Sequence, residues 1–142
     1  MLTADFQPAL ATLALLRAKI NYPGPALTLI GQLAAKRIER ELETGKHDPD
    51  GKPWEPWALS TANARLKKGN ADRGLLYDTG TLLHSIRMQV GVSDVVIGTE
   101  VPYSKYLQDG TNRMPPRPFV GWGAEGEAEA EHAMVAYLGF GL

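Results

Sequence analysis

Leu75-Leu-Tyr-Asp-Thr-Gly-Thr-Leu-Leu-His-Ser-Ile86 is the stretch on which the reading of the fold turns. Asp78 or Thr79 can cap a helix there, because a short side-chain oxygen accepts from amide hydrogens that the first turn leaves unpaired. With Asp78 as the cap, Tyr77 and Leu82 stand where a hydrophobic staple forms. Leu82, Leu83 and Ile86 then recur at helical spacing. Beyond them Ile86, Met88, Val90 and Val92 alternate with Arg87, Gln89 and Gly91, the period of a strand with one buried face. Val95-Val-Ile97 reads as a second strand, reached through a tight turn at Ser93-Asp94. The stretch is therefore expected to join a helix to an antiparallel hairpin at the centre of the core.

Working outward, Phe6, Leu10, Leu13, Leu16 and Ile20 predict a first helix over residues 5–20, with Pro8 tolerated in its first turn. Asn21-Tyr-Pro-Gly-Pro25 ends it. A second helix is expected from Ala26 to Glu43, with Leu27, Ile30, Ala34, Ile38 and Leu42 on its apolar face. Lys36, Arg37, Glu39, Arg40 and Glu43 take the opposite face, and Thr44-Gly45 closes it. Residues 61–73 read as a basic segment broken at Gly69-Asn70. A short helix follows Pro102 and stops at Gly110, and Thr111–Pro118 is a proline-rich loop. The last helix spans 124–138. Glu125, Glu127, Glu129 and Glu131 stand near its positive end, and Ala130, Met134, Tyr137 and Leu138 form its apolar face.

The chain has 142 residues, 44% hydrophobic and 22% charged, which suits a single globular domain, 1–142, in which 1–24 form an N-terminal helix and linker. The fold class expected is α+β, a small antiparallel sheet packed against several helices. A formal charge of −1 gives no global attraction to nucleic acid or to an acidic membrane. Cysteine is absent, which excludes disulfides and thiolate metal sites and fits a reducing compartment. The apolar run Ala9–Leu16 is too short to span a bilayer, and Asp5 in place of a basic flank argues against a secretory signal.

No catalytic set emerges. His84-Ser85 with Asp78 has the residue types of a triad, but adjacent helical residues face apart and no glycine-framed elbow is present. His47, Asp48 and Asp50 contain a fragment of a calcium loop without its later glutamate, so turn chemistry is the expectation. Gly121-x-Gly123 lacks the third glycine of a phosphate loop. No cofactor or metal is expected. Arg65, Lys67, Lys68 and Arg73 form the local basic cluster, either phosphate contacts or a solvated loop. Trp54, Trp57, Phe119 and Trp122 lie in loop-like segments, where large aromatics either roof a small core or anchor an interface. Arg113 and Arg117 flank the proline-rich loop, and Arg suits carboxylate pairing between subunits.

The succession of motifs carries more than any one of them. Asp48-Pro-Asp-Gly-Lys-Pro-Trp54 leads to Trp57-Ala-Leu-Ser60, then Leu75-Leu-Tyr-Asp-Thr-Gly80, Val96-Ile-Gly-Thr99, Tyr103 with Leu107 and Gly110, and Met114-Pro-Pro-Arg-Pro-Phe-Val120. This order resembles the phage virion morphogenesis family, which includes tail completion proteins, over about residues 26–138. At Leu107-Gln-Asp-Gly110 the chain departs from the aromatic or histidine often found near that glycine. The resemblance implies a tail-terminator-like α+β protein of the head–tail neck. It would be assembled in the bacterial host cytoplasm, reside in the virion and form a homohexameric ring around the DNA path. Its partners would be other copies of itself, neighbouring neck and tail-tube proteins, and DNA in transient passage, with no membrane. Trp54, Trp57, Arg113, Arg117 and Phe119 are the expected interface residues, and Arg65, Lys67, Lys68 and Arg73 the candidate lumen contacts. A head-side stopper or adaptor ring and a nucleic-acid-binding module are the alternatives.

Overall fold

A computed structural model describes residues 3–139. The ends of the expected domain, 1–2 and 140–142, lie outside the described residues. The architecture is α+β. Helix α1 spans Gln7–Asn21, α2 Gly24–Arg40, α3 Leu59–Lys68, α4 Ser104–Asp109 and α5 Gly123–Leu138. Strands β1 (Arg87–Val90) and β2 (Val95–Gly98) form a two-stranded antiparallel sheet with Met88 opposite Ile97 and Val90 opposite Val95.

Helix α2 is the centre of the packing, touching both strands on one side and α5 on another. Ala26, Leu27, Ile30, Ala34 and Ile38 are buried on it at the expected period. Arg37, expected on the polar face, is buried instead, its Nη1 donating to Glu129 of α5 at 2.6 Å. Small residues let the helices close on one another there: Gly126 and Ala133 are the buried positions of α5. The helix also ends differently from expectation. After Arg40 it widens into a π-helical turn, Glu41–Gly45, and the left-handed cap falls on Lys46 (φ 62°) rather than on Gly45. The Lys46 amide closes that turn onto Glu41 O at 2.8 Å, while its ammonium bridges the carbonyls of Leu42 and Leu75. Burial pushes the Lys46 pKa down.

The apolar cluster joins Ile38, Leu42, Trp54, Leu82, Leu83, Ile86 and Phe119. Leu42 is completely buried, which for a leucine stabilises by roughly 2 kcal/mol. Residues 75–86 do sit at this centre, but they do not form the expected helix. Gly80 has φ +89°, a conformation that ends any helical run, and only the 3-10 turn Leu83–Ser85 follows before Ile86 becomes extended. Neither Asp78 nor Thr79 caps that turn. Thr79 closes a local turn with Thr81, and Asp78 accepts from Asn70. The hairpin is present, yet its connection takes in Gly91 to Asp94, with the Gly91 amide on Asp94 O at 2.8 Å. The buried alternation stops early: Val90 is at the margin of exposure and Val92 is 86% exposed.

Helix α1 forms where expected but buries none of its residues. It rests against α5, with the Tyr137 hydroxyl donating to Tyr22 O at 2.6 Å and the Lys19 ammonium 5.6 Å from the Tyr137 ring centre. Among the described residues no helix is long and apolar enough to cross a membrane.

Candidate functional site

The proline-rich loop after α4 is fixed from both sides. The Arg117 amide donates to Leu107 O at 2.7 Å, and Trp54 Nε1 donates to Pro118 O at 2.7 Å. Gln108 serves the next two residues: its Oε1 accepts from the amides of Phe119 and Val120, each at 3.1 Å, and its Nε2 donates to Val120 O at 2.9 Å. Trp54 and Phe119 are 6% and 3% exposed. Of the two roles open to them, they take the roof of the core, and their effect on any surface is to hold the loops that reach it.

Above that roof lies a cavity of about 550 Å³. Trp57 and Arg65 form one wall, with the guanidinium 5.1 Å from the indole ring centre, a cation–π arrangement. Arg65 is held by Tyr77 O at 2.9 Å and by the Asp78 carboxylate at 3.4 Å. Leu76, Leu82, Tyr103, Leu107, Arg113 and Met114 also line it. Leu76 has φ 59°. A leucine in the left-handed region carries strain of about 1 kcal/mol or more, which the surrounding packing must enforce.

Arg117 completes the lining and is 5% exposed. Its Nε donates to Glu55 O at 2.8 Å and its Nη2 to Pro56 O at 2.9 Å. Burial pushes its pKa below the ordinary arginine value, and the charge of Glu55 opposes that shift. Among the described residues no carboxylate lies within ion-pair distance of it.

The site therefore gathers three of the five expected interface residues, Trp57, Arg113 and Arg117, and leaves Trp54 and Phe119 beneath them. The basic cluster divides. Arg65 lines the cavity, and Arg73 is bound to Asp78 O at 2.6 Å. Lys67 and Lys68 are exposed in the last turn of α3, where cations suit the negative end of a helix. Leu76 and Gln108 were not singled out from the sequence.

The other candidates have local duties. The Ser85 hydroxyl bonds Leu82 O and Thr99 Oγ1 at 2.7 and 2.6 Å, so Ser85, His84 and Asp78 do not form a relay. Asp48 Oδ1 accepts from the amides of Asp50 and Lys52, completing a turn, and the His47 ring meets Glu41 at 2.8 Å. Among the described residues no group of three or more His, Asp or Glu could hold a metal ion. Gly121 and Gly123 pack their backbone against Pro49, where a Cβ at Gly123 would overlap Pro49 O.

The sequence model of the phage virion morphogenesis family matches residues 4–139, so the match begins well before the resemblance expected from about residue 26 and takes in α1. No curated protein and no solved structure matches the chain.

Proposed function

The chain belongs to the phage virion morphogenesis family, and we propose that within that assembly role it is a tail completion or tail-terminator component of the head–tail neck. In this reading identical subunits form a homohexameric ring around the DNA path, between neighbouring neck and tail-tube proteins. The observation that carries it is the family match over nearly the whole chain. Two features of the molecule support it. The cavity of Trp57, Arg113 and Arg117 offers aromatic and arginine anchors, the residue types that dominate interface energetics. The near-neutral charge suits a ring through which DNA must slide, since many phosphate contacts would hold it.

Electron microscopy of particles made with the gene interrupted tests this. Filled heads beside separate tails are expected, with tail length choosing between a terminator and a completion role. Heads that leak DNA would move the protein to a stopper or adaptor ring on the head side. Normal infectious virions would overturn the neck assignment altogether.

A further inference from the structure

Arg117 is a buried cation with no carboxylate at ion-pair distance among the described residues. Two of its three nitrogens are satisfied by the backbone carbonyls of Glu55 and Pro56. Nη1 has no partner among the described residues, yet it is not sealed off, because Asn70 Oδ1 is the one enclosed polar side-chain atom left unbonded among them. Arg117 lines the cavity. There Arg65, Arg113 and Arg117 face a single carboxylate, Asp78, and Arg65 already engages it. The remaining lining is mostly apolar, with Leu76, Leu82, Leu107 and Met114 prominent. A site with surplus guanidinium charge in a mostly apolar lining fits a carboxylate carried on a protein segment. It fits a bare phosphate backbone poorly, since that has nothing to set against the apolar lining.

The same chain carries a surface of the opposite kind. Glu127 and Glu131 stand four apart on α5, on one helical face, and both are exposed. Their neighbours Glu125 and Glu129 are ion-paired to Arg40 and Arg37, whereas Glu127 and Glu131 have no ion pair among the described residues. No residue of α1, α2 or α5 lines the cavity, so the acidic face is not folded into it within one subunit. A patch complementary to a different patch on the same molecule makes a head-to-tail contact, the kind that closes into rings.

We propose that the cavity receives the Glu127–Glu131 face of α5 from a second copy of this chain, with the glutamates meeting Arg113 and the open nitrogen of Arg117. This rests on the ring reading above and names the contact that would build the ring. Arg113 is the residue to test, because it is exposed and its side chain is not needed to hold the loop.

Three variants are made in the full-length chain: Arg113→Glu, the pair Glu127→Arg with Glu131→Arg, and all three changes together. Each is assayed for complementation of the interrupted gene and, by native mass spectrometry, for subunit association. Melting temperature checks that the folds match. Charge reversal on either side is expected to lower complementation by at least about tenfold, and the combined variant to recover most of it. If Arg113→Glu abolishes function while the α5 variant has none of that effect, the occupant is another protein and the proposal fails. If neither variant changes association or complementation, the cavity is not the subunit contact. In both failures the neck assignment still stands or falls on the particle morphology, which does not depend on these residues.

Discussion

Gln108 does for residues 119 and 120 what a neighbouring strand would do. It accepts from two amides and donates to one carbonyl in a segment that has no sheet partner. Replacing it with alanine strands all three groups, and each unpaired buried group is worth about 1–3 kcal/mol, less where water can enter. Gln108→Ala is expected to lower unfolding free energy by about 2 kcal/mol, seen as a lower urea midpoint at unchanged slope. Gln108→Glu retains both acceptances but sets a carboxylate oxygen against Val120 O, so it should not restore the full stability. An unchanged midpoint for the alanine variant would mean that water replaces the side chain. None of this was legible in the sequence, because the partners lie 11 and 12 residues onward across a proline-rich loop, beyond any helical or strand period. Arg37 is hidden for the same reason. It looks like one more charge on a polar face, and its carboxylate is 92 residues away. Arg117, by contrast, was legible as a residue of interest, but its burial depended on where residues 55 and 56 would run.

At the scale of elements, period was a good guide wherever a face is buried against something. Helices α2 and α5, the hairpin and the short α4 all fall within a few residues of where spacing and turn residues put them. It failed at 78–86, where apolar spacing suggested a helix but Gly80 turned the backbone the other way, and at α3. That helix has no buried residue, and Leu59 and Leu66 are 78% and 67% exposed, so no apolar stripe announced it. The contact of α2 with the hairpin depends on the absence of a side chain. A Cβ on Gly31 would lie 2.8 Å from both Met88 Sδ and Val95 Cγ2. Met88 can swing aside, but the β-branched Val95 is held by its strand. Gly31→Val is therefore expected to destabilise by about 2 kcal/mol or more, read as a fall in melting temperature. Gly98, in β2 with open space around it, is the control, and Gly98→Ala should stay within about 0.5 kcal/mol. Equal shifts in the two variants would mean that α2 and the sheet do not approach each other closely at Gly31.

For the whole molecule the decisive quantity is how much positive charge remains free to meet DNA. The sequence showed four cations in a short segment, Arg65, Lys67, Lys68 and Arg73. Folding gives two of them partners within the chain. Arg65 is committed to Tyr77 O, Asp78 and the Trp57 ring, and Arg73 to Asp78 O, with the Tyr77 ring 5.7 Å away. Lys67 and Lys68 remain, at the exposed end of α3. A protein that neutralises Z phosphates shows a slope of log affinity against log salt near −0.9Z. The two lysines should therefore contribute no more than about −2 to the slope, whereas all four cations of the segment acting together would contribute about −4. Fluorescence anisotropy with an arbitrary duplex, titrated from low to physiological salt, measures this for the subunit in free solution. Lys67→Ala with Lys68→Ala should make the slope shallower by about 2. A steep slope that survives loss of both lysines would place the phosphate contacts elsewhere on the surface, and would favour a nucleic-acid-binding module over a ring that lets DNA pass. A shallow slope abolished by the two lysines gives the behaviour that a DNA conduit needs: enough charge to tolerate the polymer, and too little to stop it.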